Sequence, residues 1–261
     1  MRSAIAIVTA AAILASAGAN AALDSEGAIA ASRAAVGSRP AAHAFTDANG
    51  RRVTLADFRG KPLVVSFVYT GCTQVCPTTT RFLARAVREA RAVLGPGAFR
   101  VASIGFNVPI DNPMSMRVFA RQQGIDGEPD WLLLVPDAGA AESLARDFGF
   151  AFAPQSGGFE HLMQVTVLDA DGRVHAQVYG ETFALPMLVQ PLRELVLGEP
   201  RTAGLAPWLE RVRLVCTVYD PASGRYRLDY GLFIEVAVGF SCLAFTLLFV
   251  LRERRRSRRR C

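Results

Sequence analysis

The chain has no internal repeat, and outside one short segment it has no excess of basic residues. The segment from Arg252 to Arg260 holds seven of the 29 basic residues and one of the 23 acidic residues, which leaves 22 of each elsewhere. The formal net charge of +6 therefore comes from this segment and does not indicate a nucleic-acid-binding surface.

Long apolar runs are also scarce, and the two that exist lie near the ends. The first, Ala4 to Ala17, follows Arg2 and precedes small-residue cleavage options around Ala19 and Ala21. It is shorter than the ~20 residues that a membrane span needs, so it predicts a secretory signal peptide. The second, Leu232 to Leu251, is interrupted only by Glu235 and predicts a transmembrane helix.

The arginines that follow this second run predict the orientation of the protein, because basic clusters beside a span remain in the cytoplasm. We therefore expect a single-pass protein of the inner (cell) membrane, with a periplasmic domain and a cytoplasmic C-terminus. The predicted division is a signal peptide (1–21), a spacer (22–43), a folded domain (44–198), a membrane-proximal extension (199–231), the transmembrane helix (232–251) and the basic tail (252–261).

The folded domain alternates strand and helix patterns, which predicts an α/β fold with a central mixed sheet. A hairpin around Asn49-Gly50 and a short helical turn lead to a buried strand, Leu63 to Tyr69. Helix and strand patterns then alternate, and Asp169-Ala-Asp-Gly172 joins a final strand pair before the last helix, Leu185 to Leu197. Two cysteines at the end of the first buried strand narrow this to a thioredoxin-like arrangement.

These cysteines lie in Tyr69-Thr-Gly-Cys72-Thr-Gln-Val-Cys76-Pro77, with three residues between them instead of the two of the usual redox pair. The wider loop leaves room for a soft metal ion between the sulfurs. Pro77 suits the first position of a helix, so Cys76 should lie at a helix N-terminus and ionise more easily than an ordinary thiol. A purely structural disulfide is the alternative. It would close only a very small loop, so it would restrict the unfolded chain little and would add little stability.

His161 is predicted to complete the site, because a thioredoxin-like sheet brings the segment before its last hairpin close to the first helix. Two thiolates and one imidazole suit Cu(I), Cu(II) or zinc. A structural zinc site needs a fourth ligand, and no other Cys or His is suitably placed, so copper is favoured.

The Thr-x-Cys-x-x-x-Cys-Pro turn, followed by His161 ten residues before Asp171-Gly172, resembles the Sco/SenC family over Phe45 to Leu197. The resemblance implies a membrane-tethered, thioredoxin-fold copper protein that helps to assemble the CuA centre of cytochrome c oxidase. It implies Cys72, Cys76 and His161 as metal ligands and a copper-receiving oxidase subunit as partner.

The chain departs from the family in three respects. Thr73-Gln74 replaces a common Pro-Asp, and Asn107 replaces an aspartate for which nearby Asp111 could substitute. The predicted anchor is C-terminal, whereas family members commonly have an N-terminal one.

Two rival functions use the same cysteines. In a thiol-disulfide oxidoreductase, Cys72 would attack and Cys76 would resolve the mixed disulfide, or the two roles would be reversed. Its substrate would be the copper-receiving subunit or another exported protein. A peroxidase is disfavoured, because Tyr69 stands where the Thr-x-x-Cys signature of peroxiredoxins requires a proline.

The remaining sulfur residues are secondary candidates. Cys216 lies in the segment Val212 to Leu228, which is predicted to form a hairpin; a free buried thiol is favoured, and the alternatives are an intermolecular disulfide or an auxiliary copper ligand. Met114, Met116 and Met163 are interpreted as packing residues, with copper contact as the less favoured alternative. Cys242 lies in the predicted span and Cys261 in the cytoplasmic tail.

Overall fold

A computed structural model describes residues 23–72 and 75–198, the strands 217–220 and 225–228, and the helical positions 234, 238–243, 245–246 and 252. The helices are α1 (Ser25–Ala34), α2 (Val75–Leu94), α3 (Pro113–Gln123), α4 (Ala141–Asp147) and α5 (Leu185–Gly198), with a 3₁₀ turn at Leu55–Phe58. The strands are β1 (Ala44–Asp47), β2 (Arg52–Thr54), β3 (Leu63–Val68), β4 (Arg100–Gly105), β5 (Trp131–Pro136), β6 (Phe152–Gln155), β7 (Gly158–His161), β8 (Gln164–Leu168), β9 (Val174–Tyr179), β10 (Thr217–Asp220) and β11 (Arg225–Leu228).

Seven strands form one mixed sheet in the order β2-β1-β5-β4-β3-β8-β9. Strands β3, β4 and β5 are parallel, and the pairs on either side of them are antiparallel. The predicted α/β fold with a central mixed sheet is confirmed. Parallel strands end at the same edge of a sheet, so the loops after β3 and β4 lie side by side, and this edge carries the cysteines.

The central strand β3 is buried along its whole length because both faces of the sheet are covered. Val64 packs with α2 and α5, whereas Val65 and Phe67 pack with α4 and the 3₁₀ turn. Alternate side chains of a strand point to opposite faces, which explains why this strand is apolar at every position except the buried Ser66.

The segment 22–43, which we predicted to be a spacer, contains α1. Asp24 caps the helix by accepting a hydrogen bond from the Gly27 amide at 3.1 Å. The buried Ser32 hydroxyl donates to Gln164 Oε1 at 2.7 Å and accepts from the Tyr179 hydroxyl at 3.0 Å. This segment therefore packs against the sheet. Its alanines gave no clear apolar periodicity, yet their small size allows close approach.

Much of the C-terminal part lies outside the described residues, as do the predicted signal peptide, most of the predicted span, Cys216 and Cys261. In the part of the chain that is described, no helix has both the length and the apolar character needed to cross a membrane. Strands β10 and β11 pair antiparallel, with Tyr219 opposite Tyr226, which confirms strand pairing within the predicted hairpin.

Candidate metal centre

The cysteine turn begins directly after β3. The Cys72 amide donates to the Tyr69 carbonyl at 3.1 Å, and the Cys76 amide donates to Cys72 Sγ at 3.4 Å. A side chain at Gly71 would place its Cβ 2.5 Å from the Tyr69 hydroxyl oxygen, so the tyrosine ring covers the turn only because this residue is glycine. Thr73 and Gln74 lie outside the described residues.

Cys76 lies at the N-terminus of α2, as predicted, although the helix begins at Val75 and not at Pro77. Its thiol does not ionise easily. Only 5% of the residue is exposed, and it packs among Val68, Met116, Phe119 and Val135. This burial raises the pKa of the Cys76 thiol to about 12, with smaller contributions in the same direction from Cys72 and the Asp111 carboxylate. The predicted lowering of this pKa is wrong, because loss of hydration outweighs the effect of the helix N-terminus.

His161 ends β7 and faces the cysteine turn. Its Nε2 lies 4.0 Å from Cys76 Sγ, so the structure brings these two predicted ligands together. Its Nδ1 lies 3.3 Å from the Leu162 carbonyl oxygen, which can only accept, so the proton is on Nδ1. Burial lowers the pKa of His161, and the neutral ring therefore directs the Nε2 lone pair towards Cys76. Metal-binding histidines commonly have this arrangement.

The strands β6 and β7 form a hairpin that positions His161, and this hairpin was not predicted. Its Phe152 and Phe159 pack against Phe106, with ring centroids 4.9 and 5.3 Å apart. Phe106 also contacts the rings of Tyr69 and His161, at 6.2 and 5.8 Å. The turn residues Ser156-Gly157-Gly158 were the available sequence signal, but the strands beside them are only four residues long.

The geometry of Cys76 and His161 fits a shared soft metal ion. Sulfur and nitrogen ligands lie about 2.3 and 2.0 Å from a bound ion, which places them roughly 4 Å apart. Among residues 23–72 and 75–198, no group of three or more Cys, His, Asp or Glu side chains already forms a metal-binding cluster. Cys72 is partly exposed and lies in the turn beside Cys76, and its sulfur accepts from the Cys76 amide and interacts with the Cys76 thiol.

The methionines differ in their roles. Met116 is fully buried beside Cys76, as expected of a packing residue. Met114 is 58% exposed, so its interpretation as a packing residue is wrong. Met163 borders the small cleft that Cys76 and His161 also line. Cys242 is exposed.

Asp111 does not supply a surface carboxylate in place of the one absent at Asn107. It is completely buried, and its carboxylate accepts hydrogen bonds from the Thr70 amide, the Thr70 hydroxyl and the Asn107 amide, at 2.9, 2.5 and 2.8 Å. A group with no exposed surface cannot contact a docking partner.

Comparison with known proteins assigns this fold to a family. The family profile described as SCO1/SenC matches residues 34–196. A structure from Aquifex aeolicus VF5 is 26% identical, with a TM-score of 0.56, and the alignment covers 64% of this chain and 96% of that one. No curated protein matches significantly.

Two further structures share the fold at lower identity. Yeast Sco1 with copper bound is 18% identical, with a TM-score of 0.52 and coverage of 66% of this chain and 98% of its own. BsSco, described as a member of the Sco family of cytochrome c oxidase assembly proteins in which a disulfide switch was identified, is 17% identical, with a TM-score of 0.55 and coverage of 62% and 96%.

Proposed function

The chain belongs to the SCO1/SenC family, and we propose that it binds copper through Cys72, Cys76 and His161 to deliver copper to, or prepare, the CuA site of cytochrome c oxidase. The observation that carries the proposal is the approach of His161 Nε2 to Cys76 Sγ at 4.0 Å, next to the turn that holds Cys72. Copper in a related Sco structure supports the choice of metal.

The ligand chemistry favours a cargo ion that can be released. Two thiolates and one imidazole satisfy Cu(I) in a three-coordinate site and can also hold Cu(II). Cys76 is buried, whereas Cys72 and His161 are both partly exposed. An incoming ligand from the copper-receiving subunit would therefore displace Cys72 or His161 before Cys76.

The test is a Cu(I) titration of the reduced full-length chain in detergent, against a chromophoric competitor. We expect one equivalent of copper to bind. The pKa of the Cys76 thiol is about 12, so this thiol is protonated near neutral pH and must lose its proton when it binds copper. The apparent affinity for copper should therefore rise as the pH increases. A chain that binds no stoichiometric copper but reduces a protein disulfide would favour the second function.

That second function is thiol-disulfide exchange. The unequal burial of the two cysteines favours Cys72 as the attacking thiol and Cys76 as the resolving thiol. Cys72 would attack the substrate disulfide as a thiolate and release one substrate thiol. Cys76 would then attack Cys72 of the mixed disulfide and release the second. The substrate gains two electrons as the Cys72–Cys76 disulfide forms.

The order of attack predicts unequal alkylation of the two thiols. At pH 8 a thiol with a pKa of about 12 is ionised in only about one molecule in 10⁴, and the Cys76 sulfur is also buried, whereas Cys72 is partly exposed. Iodoacetamide should therefore label Cys72 at least 100-fold faster than Cys76, as measured by mass spectrometry of fragmented peptides. Equal labelling rates would contradict the assignment of Cys72 as the attacking thiol.

We also propose that the protein is anchored in the inner membrane by residues 232–251, with its folded domain in the periplasm. The support is the apolar run followed by seven arginines, together with the N-terminal apolar segment. Fusions that report compartment should place residue 198 outside the cytoplasm and residue 261 inside. A cytoplasmic domain would overturn this arrangement.

A further inference from the structure

Asp111 is a buried carboxylate that the proposed ligand set does not use. It lies in the loop between β4 and α3, at the sheet edge where the cysteine turn also lies. Burial of a carboxylate is costly unless its oxygens accept hydrogen bonds. The partners that meet this requirement therefore indicate what the residue stabilises.

These partners belong to two different loops. The Thr70 amide and hydroxyl both donate to Oδ1, at 2.9 and 2.5 Å. The Asn107 amide donates to Oδ2 at 2.8 Å. One carboxylate thus joins the first residues of the cysteine turn to the loop that follows β4.

The position of Asp111 is itself fixed by the start of α3. The next residue, Asn112, caps the helix by accepting from the amides of Met114 and Ser115, both at 3.0 Å. The Asp111 amide donates to the Asn107 carbonyl at 2.8 Å. The carboxylate is therefore held by a helix terminus and does not move freely with its loop.

The neighbouring strand leaves space for this side chain only because it contains a glycine. A Cβ on Gly105 would lie 2.6 Å from the Asp111 Cβ and 3.2 Å from the Met116 sulfur. The same Met116 packs against Cys76. Helix α3, Asp111 and the cysteine turn therefore form one continuous packed unit.

We propose that Asp111 is a positioning residue that holds Thr70, at the start of the cysteine turn, and so keeps the Cys72 sulfur beside Cys76, where both sulfurs can reach one ion. It ligates nothing. It fixes Thr70, which lies two residues before Cys72, and so restricts the positions that the Cys72 thiol can adopt. The expected effect of Asp111 on copper affinity rests on the proposed function. Its expected effect on disulfide formation between Cys72 and Cys76 does not.

The test is Asp111→Asn in the full-length chain. An amide keeps one acceptor oxygen but replaces the other with an NH₂ group, which would face an N–H donor of Thr70 or Asn107. We expect Cu(I) affinity to fall about tenfold or more. The equilibrium between the Cys72–Cys76 dithiol and its disulfide in glutathione buffers should shift tenfold, or about 30 mV. In that reaction oxidised glutathione takes up two electrons and two protons to give two reduced molecules.

Asp47→Asn is the matched control. Asp47 is also buried, at 5% exposure, and accepts bonds from the Asn49 amide and from the amide and side chain of Arg51. It lies in the β1–β2 hairpin, away from the cysteines. Both variants should lower the urea midpoint, but only Asp111→Asn should change copper affinity and the thiol equilibrium.

Thr70→Val is a milder variant that removes the hydroxyl donor and keeps the amide donor, so it should shift both measurements in the same direction by less. If Asp111→Asn does not fold, Thr70→Val alone tests whether the bond between Thr70 and Asp111 affects copper affinity and the thiol equilibrium. Wild-type values in both assays for the folded variants would overturn the proposal. A wild-type chain that binds no copper would refute the proposed function. The role of Asp111 would then be tested by the dithiol–disulfide equilibrium alone, compared between the variants and the wild type.

Discussion

Replacing Cys76 with serine is expected to abolish tight copper binding while the fold remains. Serine has nearly the same shape but offers a hard oxygen in place of a soft thiolate. Four-ligand structural zinc sites bind with about 10–16 kcal/mol, or roughly 3 kcal/mol per ligand, so we expect Cu(I) affinity to fall by about 100- to 1,000-fold. The competitor titration described above measures this loss.

The serine variant must also be compared for stability, because the site is buried. A hydroxyl without a good partner costs about 1–3 kcal/mol in such surroundings. Urea unfolding reports this cost separately from copper binding. Cys242→Ser is the matched control, since Cys242 is exposed and far along the sequence from the turn, and it should change neither quantity. A Cys76→Ser protein that binds copper as tightly as the wild type would exclude Cys76 as a ligand.

The framework that supports this site was predictable because local signals agree with the tertiary fold. The predicted strand Leu63 to Tyr69 and the predicted last helix Leu185 to Leu197 match β3 and α5 to within one residue, and the Asp169-to-Gly172 turn joins β8 to β9 as predicted. The strand-turn-helix placement of Cys72 and Cys76 followed from these patterns, as did the approach of His161 to the first helix.

What could not be predicted depends on contacts between distant segments. The pKa of Cys76 is set by Met116, Phe119 and Val135, which come from α3 and β5. The sequence around Cys76 indicates only a helix N-terminus, and it therefore predicts a shift of the Cys76 pKa in the wrong direction. The position of Asp111 as a buried acceptor likewise depends on Thr70, a residue of another loop.

Short elements were missed for a related reason. Helix α1 is rich in small residues, and strands β6 and β7 have four residues each, so neither gives a long periodic pattern. Their stability comes from packing, through the bonds of Ser32 and the ring contacts of Phe106. The residues before α1 contact the hairpin that carries His161, since the Leu23 amide donates to Glu160 at 2.9 Å.

Replacing His161 with alanine is expected to weaken copper binding by about 10- to 100-fold, less than the loss of Cys76, because the two soft thiolates remain. The larger change should be spectroscopic. The nitrogen coupling in the electron paramagnetic resonance spectrum of the Cu(II) form should disappear, and the sulfur-to-copper charge-transfer band should shift. These signals report directly on the ligand set, whereas a general loss of stability would not remove one ligand selectively.

His175→Ala provides the matched control, and added imidazole provides a second one. His175 lies on β9 and pairs with Glu194 at 3.5 Å, so its loss should leave the copper spectra unchanged. Alanine at position 161 leaves a space between the hairpin and Cys76 into which free imidazole can bind and restore a nitrogen ligand. Rescue of the spectrum would show that the ring itself ligates the metal. Spectra identical to the wild type without imidazole would remove His161 from the site and leave the two thiols as its only predicted ligands.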